Sequence, residues 1–188
     1  MRGSGQIKGE SAEYKALTDS LYEKFMEMGQ SYQIVDLEYP AQNISLRTCL
    51  GAFVSAGRSY SYGKSVSTGV ENLKKYYSDR IKICPKTKVI FIGYSQGAQV
   101  VGVALSVIDP ENVIYVALFG DPLLYLPESQ NSFACRGEGL SEYRIDVPDC
   151  RVESGILGAR IPYVPDGFKG KVGTWCNEGD IICGSGHD

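Results

Sequence analysis

Apolar positions along the chain alternate between two spacings. Tyr14, Leu17, Leu21, Phe25 and Met28 recur with the period of a helix face. Ser11 stands where a helix takes its N-cap and Gly29 where a helix ends, so a helix is predicted over about 11–28. Residues 32–37, Tyr-Gln-Ile-Val-Asp-Leu, read as a short strand ended by Pro40, and the polar Gly/Ser-rich stretch 42–62 reads as a loop. A second amphipathic helix carries Val66, Val70, Leu73, Tyr77 and Ile81 on one face. Residues 88–93 then form a nearly continuous apolar run, the pattern of a strand buried on both faces. A helix of small residues over 97–107 and a second apolar strand over 113–119 follow.

Helix and strand thus alternate, which predicts a parallel sheet with helices on both faces, a three-layer α/β/α sandwich. Residues 122–170 interrupt the rhythm with clustered prolines and glycines, and a last short strand is expected over 171–175. Leu123, Leu124, Leu126, Phe133, Ile156 and Leu157 give that excursion apolar surface, as a cap over a pocket or as a loop packed on the core. A chain of 188 residues suits one domain, here 1–188.

Charge narrows the partners. Lys and Arg total 19 against 22 Asp and Glu, without a basic cluster, so neither nucleic acid nor an anionic membrane is the expected partner. The longest apolar stretch, about 100–108, is too short to span a bilayer. The start has no apolar leader segment, so a leader, if used, lies outside these residues. A soluble monomer is expected. Six cysteines, none in a C-x-x-C pair, argue against a zinc ribbon and for three disulfides in an oxidising compartment. The simplest pairing is sequential: Cys49–Cys84, Cys135–Cys150 and Cys176–Cys183.

Gly93-Tyr94-Ser95-Gln96-Gly97 fits the G-x-S-x-G pattern, in which a strained turn between strand and helix lifts a serine above the sheet. The pattern alone is weak, but a buried strand enters it and a small-residue helix leaves it, as the mechanism requires. Ser95 is therefore the candidate nucleophile, and the backbone N–H of Gln96 the candidate oxyanion donor at the helix N-terminus. A serine needs a base, and His187 is the chain's one histidine. The orienting acid should lie between Ser95 and His187 in order. Asp180 fits best, Asp121 competes, and Glu178 is a third choice.

These residues carry a resemblance. Gly-Tyr-Ser-Gln-Gly after Cys84-Pro85, and the block from Cys176 to Cys183 with Asp180 inside it, resemble the two defining blocks of the cutinase and acetylxylan esterase family. Arg160-Ile161-Pro162 is also similar to those enzymes, and Arg2-Gly3-Ser4-Gly5 resembles the loop after their first strand. The resemblance implies a compact α/β-hydrolase, usually secreted, hydrolysing carboxylic esters with a Ser-His-Asp triad and no metal or cofactor. It carries over Ser95 as nucleophile, Asp180 as acid, and Gln96 and Ser4 as oxyanion residues. The family's first strand is missing here, so Met1-Arg2-Gly3-Ser4 is either a native loop or vector-derived. The family's histidine also lies further past the acid than His187, which leaves the base as His187 or a residue beyond Asp188.

The expected activity is therefore a serine carboxylesterase acting on lipid-like, polyester or acetylated-polysaccharide esters. An acyltransferase with the same triad, or a binding module on a degenerate hydrolase fold, are the alternatives.

Overall fold

The structure, a computed structural model, describes residues 1–9, 11–43, 60–125, 155–177 and 180–184. The first helix, α1, spans Ala12–Glu27. Its N-cap is Ser11, whose Oγ accepts the Tyr14 N–H at 3.0 Å, satisfying one of the donors that a first turn leaves open. Met28 closes the helix by donating to Lys24 O, and Gly29 follows at φ 62°, a conformation that favours glycine. Phe25 stacks on Tyr32 with ring centroids 4.7 Å apart.

The expected strand over 32–37 does not form; this segment pairs with no strand among the described residues. Its last carbonyl and one just beyond it serve another purpose. The Arg2 guanidinium donates to Leu37 O at 3.4 Å and to Tyr39 O at 2.5 Å. Leu37, Tyr39 and Ala41 are nevertheless buried, which fixes the segment without a ladder.

The remaining elements follow the sequence pattern, except that the second helix begins at Tyr60, inside the expected loop 42–62, of which 44–59 lie outside the described residues, and the third ends at Ala104 and not 107. Helix α2 covers Tyr60–Ile83, strand β1 Val89–Tyr94, helix α3 Gln96–Ala104, strand β2 Val113–Phe119 and strand β3 Val172–Trp175. The strands form one parallel sheet in the order β1-β2-β3, with Phe91 opposite Val116, Gly93 opposite Leu118 and Leu118 opposite Thr174. These residues share a sheet face and are all buried, because α3 and, beyond it, α2 cover that side. Tyr77 of α2 reaches Phe91 edge-on at 5.6 Å. Gly69 lets α2 close on α3: a Cβ there would stand 2.9 Å from the Val100 methyls. Met1 makes both bonds of a parallel bridge on the free side of β1, its N to Ile92 O and its O from Tyr94 N. No helix among the described residues is long and apolar enough to cross a membrane.

Disulfide Cys176–Cys183 is present, with Cα atoms 5.8 Å apart. The expected Cys49–Cys84 bridge is not: Cys84 is a free, half-buried thiol just past the end of α2, its backbone held in a turn by Thr87 N. Cys49, Cys135 and Cys150 lie outside the described residues.

The irregular stretch after β2 packs inward where it is described. Leu124 is fully buried in the main core beside Tyr163, Val164 and Phe168, so it is a core side chain and not a cap over a pocket. Its burial follows from the turn at 121–124, in which Leu124 N donates to Asp121 O. Leu126 and Phe133 lie outside the described residues. Leu124→Ala is expected to lower stability by about 2–5 kcal/mol in urea unfolding, the range for emptying a leucine site that cannot collapse.

Candidate active site

Ser95 sits between β1 and α3 with φ 52° and ψ −119°, a left-handed conformation that a residue with a side chain adopts only under constraint. Three contacts impose it. Ser95 N donates to Phe119 O at 2.8 Å, tying the turn to the end of β2. Ser95 O accepts Ala98 N and Gln99 N, the first bonds of α3. Gly93 and Gly97 remove the side chains that would keep strand and helix apart, for a Cβ on Gly93 would lie 2.5 Å from Gly97 O. The Ser95 side chain is left partly exposed at the C-terminal edge of the sheet.

The same close approach admits the N-terminal residues. A Cβ on Gly97 would stand 2.4 Å from Met1 O and 2.6 Å from Arg2 O, and one on Gly3 would stand 3.2 Å from Ser95 Cβ. Met1–Ser4 is thus built into the turn, with Ser4 next to the residue that touches the candidate nucleophile. Arg2 anchors it from below: its guanidinium lies over the Tyr39 ring at 5.2 Å, and the Tyr39 hydroxyl donates to Arg2 O. Gly5 N donates to Ala41 O at 2.8 Å on the other side of Ser4.

Gln96 begins α3, so its backbone N–H is among those with no intrahelical acceptor. Its side chain is buried, with Oε1 accepting the Ser65 hydroxyl at 3.2 Å. One turn on, Gln99 Oε1 accepts the Tyr62 hydroxyl at 2.6 Å, and burial pushes that phenol up to about 12. Ser65 and Tyr62 were not legible as neighbours of the elbow, since they lie in a polar stretch without a motif.

The two competing carboxylates have different surroundings. Asp121 is fully buried after β2 and fully engaged: Oδ2 takes Arg160 Nη2 at 2.9 Å and the Tyr163 hydroxyl at 3.1 Å, and Oδ1 takes Leu123 N at 3.0 Å. Tyr163 also shares a 2.9 Å hydrogen bond with Thr174 of β3. The Arg160 guanidinium lies over Gly102 of α3, where a Cβ would come within 2.3 Å of it. Burial opposes the Arg160 charge, but Asp121 and Tyr163 outweigh it and hold its pKa above the ordinary value. Burial, reinforced by Asp121, drives the Tyr163 hydroxyl well above its own.

Asp180 is partly exposed in the loop closed by Cys176–Cys183. Its Oδ1 accepts Ile182 N at 2.9 Å, and its backbone is held at both ends, N to Asn177 O and O from Gly184 N. Its Oδ2 lies beside Gly120, 3.4 Å from where a Cβ would be. Gly120 follows Phe119, whose carbonyl holds Ser95 N, and Gly120 N donates to Trp175 O at the end of β3. Ser95, Gly120 and Asp180 therefore gather at one edge of the sheet, while Asp121 turns into the core. His187 and Glu178 lie outside the described residues.

Comparison with known proteins gives a consistent likeness. The Cutinase family model matches residues 2–188. Carboxylesterase Culp1 of Mycobacterium tuberculosis is 29% identical over 124 residues, which is 64% of this chain and 48% of that protein. Cutinase CUT1 of Coprinopsis cinerea is 30% identical over 118 residues, 61% of this chain and 41% of that one. The chain thus aligns with about half the length of these curated relatives. Among solved structures, an acetylxylan esterase covers 100% of this chain and 84% of its own at a TM-score of 0.64 and 19% identity. A cutinase-like protein from Cryptococcus reaches 0.66 at 20% identity, covering 99% of this chain and 77% of its own. At such identities the shared feature is the fold, a compact α/β architecture.

Removing one partner of the buried Asp121–Arg160 pair strands the other charge. Asp121→Ala is expected to lower stability by about 3–5 kcal/mol in urea unfolding. A loss below about 1 kcal/mol would show that the pair is not buried as described.

Proposed function

Since the chain belongs to the cutinase family, we propose that it hydrolyses carboxylic esters through an acyl-enzyme on Ser95. The observation that carries this reading is the left-handed backbone of Ser95 at a strand-to-helix turn into which the Arg2–Ser4 loop is packed. A turn strained in this way, by roughly 1–3 kcal/mol, persists only where its surroundings over-determine it, and such residues cluster at functional sites.

In the proposed reaction His187 removes the Ser95 Oγ proton as that oxygen attacks the ester carbonyl. The negative charge that develops on the carbonyl oxygen is met by the Gln96 N–H and by Ser4. Each such donor is worth roughly 2.7–4 kcal/mol in the transition state. The proton passes from His187 to the departing alcohol. Water, deprotonated by the same histidine, then releases the acid and restores Ser95. Asp180 orients the imidazole and stabilises its cationic form; the bridge that clamps its loop and the bonds from Asn177 to Gly184 support that role. The engagement of Asp121 with Arg160 supports giving that role to Asp180 instead. Every step uses side chains, the Gln96 backbone N–H and water.

The substrates are esters of lipid-like, polyester or acetylated-polysaccharide type, a range supported by relatives named carboxylesterase, cutinase and acetylxylan esterase. The disulfide supports work in an oxidising, extracellular setting, and a monomer is proposed.

Turnover of a p-nitrophenyl ester tests the assignment. Ser95→Ala should abolish it with the fold retained. Asp180→Asn and His187→Ala should each lower kcat by orders of magnitude. Wild-type turnover in Ser95→Ala would remove the nucleophile, and full activity in His187→Ala would place the base elsewhere.

A further inference from the structure

Ser65 sits on α2 and is far in sequence from every block that marks the site, yet it is 1% exposed and touches one of them directly. Its Oγ donates to Gln96 Oε1 at 3.2 Å and accepts Gln42 N at 3.2 Å. Only a group that both donates and accepts can do this, and a serine hydroxyl is the smallest one available. The two contacts lead toward the two proposed oxyanion residues. Gln96 carries one proposed oxyanion donor on its backbone, and Gln96 Nε2 has no hydrogen-bond partner among the described residues. Ser65 thus holds that side chain by Oε1, and the Tyr62 hydroxyl interacts with it as well.

Gln42 follows Ala41, which is buried in a left-handed conformation at φ 47° without being glycine. In that conformation Ala41 O receives Gly5 N at 2.8 Å, directly after Ser4, while the next N–H turns to Ser65. From Ser65 through Gln42, Ala41 and Gly5 the chain of contacts reaches the second proposed oxyanion residue.

We propose that Ser65 is a positioning residue that sets both halves of the oxyanion hole, holding Gln96 through its side chain and Ser4 through Gln42, Ala41 and Gly5. It touches no substrate. This inference rests on the esterase reading above and deepens it. Donors help only when they stand about 2.7–3.1 Å from the developing oxyanion, so releasing them weakens transition-state binding and leaves ground-state binding largely intact.

The test is steady-state hydrolysis of p-nitrophenyl butyrate by the whole chain. Ser65→Ala is expected to lower kcat about tenfold or more, with KM changed less than about twofold. Ser65→Thr, which keeps the hydroxyl, should recover most of the loss. Gln96→Leu removes the acceptor and keeps the backbone N–H, and it should also lower kcat. The double variant Ser65→Ala/Gln96→Leu should fall short of the product of the two single losses, because both cut one contact. Should Ser65→Ala fail to fold, Gln96→Leu and Ser65→Thr still decide the matter. Unchanged kcat in Ser65→Ala or in Gln96→Leu would overturn the inference, as would a loss confined to melting temperature or to KM. A wild-type chain that leaves the ester untouched would instead remove the esterase reading, and this inference with it.

Discussion

The left-handed backbone of Ser95 is the constraint on which the rest of the site depends. A side chain at φ 52° is held there because β1, β2 and α3 each fix one end of the turn, through Tyr94, Phe119 O and the Ala98 and Gln99 amides. The glycines on either side are part of the same device. Gly93 lets the helix rest on the strand, and Gly97 leaves room for the Met1 and Arg2 carbonyls where a methyl group would collide. The conformation that exposes the proposed nucleophile therefore also brings the N-terminal loop to it.

A second constraint separates two carboxylates that look alike in the chain. Asp121 and Asp180 both follow strands, at the ends of β2 and β3. Asp121 points down between α3 and the sheet, where Gly102 opens a slot for the Arg160 guanidinium and Tyr163 relays the network to Thr174. Asp180 is kept at the rim by the Cys176–Cys183 bridge and by backbone bonds within its loop. The buried Asp121–Arg160 pair ties the irregular chain at 160 to the end of β2. The Asp180 carboxylate, left beside Gly120 at the rim, stays available for the role proposed for it.

Local signals were read from the chain with little error. Ser11 and Gly29 bound α1 to within a residue, and the apolar run over 113–119 coincides with β2. The elbow was legible because strand, motif and helix are contiguous. What failed depended on partners far away in sequence. The stretch 32–37 has strand composition, but a strand needs a neighbour, and here its end instead supplies a carbonyl to Arg2, an interaction 35 residues apart. Leu124 left two readings open, cap or core-packed loop, because its irregular surroundings hide the core that Tyr163 and Phe168 complete. The Asp121–Arg160 pair spans 39 positions, and the opening for it, Gly102, stands among other small residues of α3 and so gave no distinct signal. Cys84 gave none either; cysteine spacing cannot say which thiols meet.

The central claim is that this elbow makes Ser95 a nucleophile, and covalent labelling measures that directly. Incubation of the whole chain with a fluorophosphonate, followed by peptide mass spectrometry, should find one equivalent of phosphonate on the peptide carrying Ser95, because an unactivated serine does not react. An unlabelled chain, or label on a different serine at equal rate, would contradict the account.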